Sequence, residues 1–197
     1  MNAGRQLPLR RAVTLLSACV AILLFPHSLA AQETSGKAIR VPYGLAWGDT
    51  VDKVHGMIAA VKAKEISCTE KSPGKIQIEA EGLGIGENLL RRTLFTFRDG
   101  SLVEVEMQYG DPSWDGPQTI DFFDRTRRRI DDRYGHGTLL VNNIRQHPDG
   151  DNIPASALYT LIIYRWSQTV ANLELSYYEL KEETKACQLV SLHYKTP

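Results

Sequence analysis

Leu94-Phe95-Thr96-Phe97-Arg98-Asp99-Gly100-Ser101-Leu102-Val103-Glu104-Val105-Glu106-Met107-Gln108-Tyr109 is the most legible stretch of this 197-residue chain. Phe95 and Phe97 alternate with Leu94, Thr96 and Arg98. Val103, Val105, Met107 and Tyr109 alternate with Glu104, Glu106 and Gln108. A period of two predicts strands with one buried and one wet face. Asp99-Gly100 between them suits a two-residue hairpin turn, which needs a left-handed backbone at both positions. The stretch therefore predicts an antiparallel pair.

The same patterns extend on both sides. Ile66 and Cys68 share a face of a short candidate strand, and Ile76, Ile78 and Ala80 alternate with Gln77, Glu79 and Glu81. Upstream, Val51, Val54, Ile58 and Val61 recur at helical spacing, so 50–62 is predicted as an amphipathic helix with Asp49 as N-cap. Downstream, Gly110 to Pro117 is a loop. A helix over about 117–133 follows, with Ile120, Phe123, Ile130 and Tyr134 as its apolar stripe and Gly135 as its stop. Strands are then predicted at Leu139–Ile144, Leu158–Trp166, around Leu173, Leu175 and Tyr177, and at Gln188–Tyr194. Leu158–Trp166 is apolar on nearly both faces, which predicts a central strand. The order predicts an α+β fold of two tandem helix-plus-four-strand modules, 41–110 and 111–197. The antiparallel sheet carries its helices packed on one face, and the modules are either separate or joined as one continuous domain.

Leu45-Ala46-Trp47-Gly48-Asp49-Thr50 stands just before the first helix. It resembles the Leu-x-Trp-Gly-x-[Ser/Thr] opening of small exported bacterial proteins of unknown function. The order of elements is similar, as topology, to the β-lactamase inhibitor protein architecture. Neither resemblance carries catalytic residues, and a shared topology by itself is a weak warrant for inhibition.

The first thirty residues read as an address. Arg5, Arg10 and Arg11 precede a predominantly apolar stretch, Ala12–Phe25, and Ser28-Leu29-Ala30 offers small residues for cleavage after Ala30 or Ala31. This is the pattern of a secretory signal peptide, and the stretch is too short to span a bilayer comfortably. Leu16-Ser17-Ala18-Cys19 resembles a bacterial lipobox, so lipidation of Cys19 is the rival reading. The apolar stretch before Leu16 is short, and Val20–Phe25 would make an unusually apolar start for a lipoprotein. Residues 31–40 are a polar, unpatterned lead. The expectation is an exported protein, periplasmic or secreted, tethered to a membrane only if Cys19 is lipidated.

Composition narrows the function classes. Apolar residues make up 43% and charged residues 23%, with 23 Lys+Arg balancing 23 Asp+Glu. Collagen-like, disordered and coiled-coil chains are excluded, and a neutral chain points to no nucleic-acid partner. Removing residues 1–30 takes away three Arg and no acid, leaving 20 basic residues against 23 acidic. It also leaves two cysteines, Cys68 and Cys187. Two cysteines in an exported chain predict a disulfide. It would close a loop of about 119 residues, worth about 4–5 kcal/mol in the chain-entropy model. A metal site or a reactive thiol is the alternative.

Motifs for chemistry are missing. Gly82-Leu83-Gly84-Ile85-Gly86 lacks the ending and the context of a phosphate loop. His55, His136, His147 and His193 are scattered without metal-ligand spacing. No Gly-x-Ser-x-Gly elbow exists. Asp149-Gly150-Asp151-Asn152 reads as a turn rather than a Ca²⁺ loop. Arg125-Thr126-Arg127-Arg128-Arg129 is offset by Asp121, Asp124, Asp131 and Asp132 and reads as a solvated helix face. No enzyme, cofactor or metal is expected. Tyr159, Tyr164, Trp166, Tyr177, Tyr178 and Tyr194 fall on predicted strands. Tyr and Trp on an open sheet face are effective anchors for another protein, so Trp166 and Tyr178 are the candidate partner-binding residues. The expected role is protein binding or inhibitor-like, with an envelope or extracellular protein as partner. A small-ligand or lipid carrier, with a pocket between helices and sheet, is the alternative.

Overall fold

The structure is a computed structural model that describes residues 37–84, 89–146, 157–182 and 185–197. The signal-peptide and lipobox stretches, residues 31–36 of the lead, Ile85-Gly86, and the Asp149–Asn152 turn with His147 lie outside the described residues.

Helix α1 is Val51–Ala60. Its N-cap is Thr50, whose hydroxyl accepts from the Lys53 amide. Asp49, expected in that role, instead accepts from the Ala46 amide at 2.8 Å and pairs with Lys53 Nζ at 2.8 Å. Its carboxylate thereby ties the Trp47-Gly48 approach to the first helical turn. Val54 and Ile58 are the buried positions of α1. Strands β1 (Lys64–Ser72), β2 (Lys75–Glu81), β3 (Leu90–Arg98) and β4 (Ser101–Tyr109) follow as a meander. Asp99 and Gly100 join β3 to β4 with φ of 50° and 78°. A primed turn requires that pair of left-handed residues, and glycine relieves the strain at one of them.

Helix α2 is Gly116–Tyr134. Asp115 and Gln118 form a reciprocal capping box, and Gly135 ends the helix at φ 85°. Its buried residues are Thr119, Phe122, Phe123 and Ile130. Ile120, expected in the stripe, is 38% exposed. Thr119 takes the inward place because its hydroxyl donates to Gln188 Oε1 on the sheet at 2.7 Å. Strands β5 (Thr138–Gln146), β6 (Leu158–Gln168), β7 (Ala171–Glu182) and β8 (Lys185–Lys195) follow.

The expectation of two tandem helix-plus-four-strand modules is overturned. Among the described residues, eight strands form one antiparallel sheet in the order β1-β2-β3-β4-β8-β7-β6-β5, with two α-helices. The last strand, β8, is central and pairs with β4 on one edge and β7 on the other. Where a module boundary was expected there is a hydrogen-bonded ladder. Side chains continue across it. The register aligns Ile78, Phe95, Val105, Tyr194, Leu173 and Trp166 in one row over six strands. Five of these six are buried and Tyr194 packs against them in the same core cluster. Splitting the sheet would expose this row and unpair two strand edges, so one shared core is the lower-energy arrangement.

Two further expectations change. Strand β6 is not central, since it lies one strand in from the edge strand β5. The start of the fold also moves upstream. Ile39, assigned to the flexible lead, is 3% exposed. Its amide donates to Gln168 Oε1 at 2.7 Å, and Gln168 Nε2 donates to the Lys37 carbonyl. Tyr43 follows, with its ring 5.9 Å from Phe95 and its hydroxyl 2.8 Å from Thr93 Oγ1. Burial pushes the Tyr43 hydroxyl up to about 12, against the opposing effect of that hydrogen bond.

Candidate functional site

Alternation sends the neighbours of the buried row to the other side of the sheet. Helices α1 and α2 and the Pro42–Gly44 turn pack on the row's side. Among the described residues, no helix lies over the opposite face. That uncovered face has two parts.

The first part is a charged network on β4, β6, β7 and β8. His193 Nε2 lies 2.6 Å from Glu104 Oε1 and 3.6 Å from Glu106 Oε2. Glu174 receives Lys195 Nζ at 2.8 Å and Arg165 Nε at 2.6 Å. Burial pulls the His193 imidazolium down, but the Glu104 and Glu106 carboxylates outweigh it and hold the group above its ordinary value. The bond from His193 holds Glu104 below the usual carboxylate range against the effect of burial. Glu174 is raised by burial, yet Lys195 and Arg165 leave it net lowered.

A pH dependence of stability follows. The His193 contribution is complete below about pH 6.5, where the unfolded imidazole is also protonated, and is lost as pH rises through the folded value. The Glu104 contribution is present above the ordinary carboxylate value and is lost as pH falls through its folded value. In urea unfolding, the wild-type midpoint is expected to fall as pH rises from about 6.5, relative to that of His193→Gln. Parallel curves for the two proteins would contradict the pairing.

The second part is apolar. Register places Tyr178 of β7 between Leu161 of β6 and Leu189 of β8. The next open-face residue on β7, Leu180, lies opposite Tyr159 and Cys187. Ile163 lies opposite Val141 and Ser176. Tyr159, Leu161, Ile163, Tyr178, Leu180 and Leu189 are all half-buried on that face. Asn143 Nδ2 donates weakly to the Tyr159 hydroxyl at 3.4 Å. This patch explains the two-sided apolarity of β6. Its helix side meets α2, and its other side builds the patch.

The two candidate partner-binding residues part company. Tyr178 is at the centre of the uncovered patch. Trp166 is on the helix side, 3% exposed, with its indole N–H donating to the Gly135 carbonyl at 2.8 Å and to Asp131 Oδ1 at 3.1 Å. It is a core residue and cannot anchor a partner. The expected Cys68–Cys187 bridge is likewise corrected, since both are free, exposed thiols. Strands β2, β3 and β4 stand between β1 and β8. At about 4.8 Å per strand, that separation is about 19 Å. A disulfide needs Cα atoms within about 7 Å.

Other sites are dispersed. Arg125 pairs with Asp121 and Arg127 with Asp131, and Arg127 also lies over the Tyr164 ring at 5.2 Å, so two arginines of the basic run are held by acids of their own helix. The side chain of His136 is 98% exposed. A groove of about 350 Å³ lies between the start of α2 and β5–β7, with Ile120, Ile144, Ile162 and Tyr177 as apolar lining, Arg145 and Lys181 as cations and Glu179 as an anion. Arg145 has φ of 52°, an unfavourable conformation for a residue with a side chain, and its amide donates to Thr160 Oγ1 at 3.3 Å. Sequence spacing missed the patch partners Leu161 and Leu189 and the network around His193. The alternation in each strand was visible, but which strand stood beside which was not.

No known protein family, curated protein or solved structure matches the chain.

Proposed function

We propose that this chain acts after export as a non-enzymatic binding protein. It holds another folded protein of the envelope or exterior against the uncovered sheet face. The observation that carries the reading is the position of Tyr178, aromatic and half-exposed, in the middle of an apolar patch beside a charged network. Interfaces concentrate their energy in such places, where a rigid aromatic is ringed by contacts that exclude water. The fitting partner presents an apolar loop or knob with charges of both signs around it. Glu104, Glu106, Glu174, His193, Lys195 and Arg165 largely neutralise one another, so a polyanion gains little there.

A photo-crosslinking side chain at position 178, in protein exposed to native envelope extract, is expected to yield one discrete adduct. The same group at Arg128 on α2 is expected to yield none. Equal labelling from both positions, or none from 178, would sink the reading. With an isolated partner, Tyr178→Ala is expected to weaken binding by about 2 kcal/mol or more.

The groove beside α2 favours a second reading, a carrier for an amphiphile with an anionic head. Its volume falls in the range of small-molecule sites, and Arg145 and Lys181 suit a carboxylate over an apolar chain. Calorimetry with dodecanoate separates the two readings. Binding heat that disappears in Ile162→Trp supports the carrier, and no heat in the wild type removes it.

A further inference from the structure

The sequence pattern shows no metal-ligand spacing, but the fold assembles a donor set. We propose that His55, Glu65 and Cys68 form a binding site for a borderline transition-metal cation, with Zn²⁺ as the reference ion. His55 Nδ1 lies 2.7 Å from Glu65 Oε2, and one donor atom from each of the three residues lies within 4.8 Å of the others. Among the described residues, no other group of three has donor atoms all within that distance of one another.

Imidazole, carboxylate and thiolate together are a set that Zn²⁺ and its neighbours in the first transition row accept. Tetrahedral Zn²⁺ at ordinary bond lengths puts such donors about 3.3–3.6 Å apart. His55 and Glu65, now 2.7 Å apart, would separate by about 0.6 Å, and Cys68, within 4.8 Å of both, would close by no more than about 1.5 Å, small moves for partly or fully exposed side chains. Three protein donors leave a fourth position for water or an outside ligand.

The backbone shows why these three meet. Residues 65 and 68 are an odd number apart, so a regular strand would send them to opposite faces. Strand β1 is not regular there. Glu65 lies opposite Ala80, Ser67 opposite Glu79, and Cys68 opposite Ile78, with a register shift between Glu65 and Ser67. Ile66 is the extra residue of a bulge, which puts Glu65 and Cys68 on one face. Bulges re-aim side chains in this way, and they often occur near sites. Helix α1 supplies the third donor from the same side. The link between α1 and β1 is three residues long, with Lys62 at φ 57° and the Ala63 amide bonded to the Ile58 carbonyl. That closure seats His55 over β1. A plain His–Glu ion pair would need neither the bulge nor the thiol.

The test uses untagged, reduced protein titrated with Co²⁺, which stands in for Zn²⁺ and reports its ligands by absorption. One equivalent is expected to give a thiolate-to-cobalt charge-transfer band that Zn²⁺ abolishes. Cys68→Ser is expected to lose the band, His55→Ala and Glu65→Gln to bind at least about tenfold more weakly, and Cys187→Ser to behave as wild type. Zn²⁺ is also expected to slow alkylation of Cys68 but not of Cys187, and to raise the melting temperature of the wild type and of Cys187→Ser but not of Cys68→Ser. Absence of the band, its survival in Cys68→Ser, or equal alkylation of both thiols with and without Zn²⁺ would overturn the site. Circular dichroism of each metal-free variant confirms that a lost band is not a lost fold.

Discussion

Trp166→Ala is expected to destabilise the protein by about 3–5 kcal/mol, measured as a shift in the urea unfolding curve. The indole is 3% exposed and closes the end of α2 onto the sheet. Its N–H serves both the Gly135 carbonyl and Asp131 Oδ1, and the same Asp131 oxygen accepts from the Gly137 amide at 2.9 Å. The other Asp131 oxygen accepts from Arg127 at 3.0 Å. Removing the ring leaves a cavity and breaks one junction of helix end, loop and strand. The fit is tight on the loop side too, since a Cβ added at Gly137 would lie 2.5 Å from the Trp166 ring. Trp166→Phe separates the two contributions. It retains most of the buried area but leaves the Gly135 carbonyl without the indole, at a cost of about 1–3 kcal/mol. A loss below about 1 kcal/mol for Trp166→Ala would show that the indole does not hold α2 in place.

Phe95→Ala is expected to cost a similar amount, about 3–5 kcal/mol, in the opposite half of the sheet. Phe95 is fully buried on β3, between Ile78 of β2 and Val105 of β4. The shape of the transition is as informative as its shift. Because β4 and β8 are paired and the buried row continues through them, both substitutions are expected to displace one and the same unfolding transition. Tryptophan fluorescence and far-ultraviolet circular dichroism should then give coincident curves for the wild type and both variants. A biphasic curve in Phe95→Ala, with the second half unfolding at its old midpoint, would mean that the halves fold separately.

These two positions mark the limits of what could be read ahead of the structure. Phe95 announced its burial through alternation with Thr96 and through the Asp99-Gly100 turn beside it. Trp166 lay in a strand apolar on both faces, so alternation could not say which side was covered. Helix α2 resolved it by packing Phe123 against Tyr164 and Tyr177 on that side. Tyr178, next to Tyr177, was left on the other. The disulfide expectation failed for a related reason. Counting cysteines registers compartment and parity, but reach depends on strand order, and three strands stand between Cys68 and Cys187. The metal-donor cluster was invisible because a bulge at Ile66 overrode the strand period on which the spacing argument relied.

The sequence by itself determined the local structure. Periods of two and of 3.6 residues marked the strands and helices, and Asp, Gly and Pro marked most of the turns, because these signals act between residues near one another in the chain. Tertiary structure alone decided that the last strand sits at the centre, welding β4 to β7 in a single sheet. It also decided that Trp166 is core, that Tyr178 heads an open patch, and that His55 meets Glu65 and Cys68. Each of these depends on pairing between segments distant in the chain. That choice is made by the total area buried and the ladder edges satisfied across the sheet, a sum to which no single segment's pattern gives access.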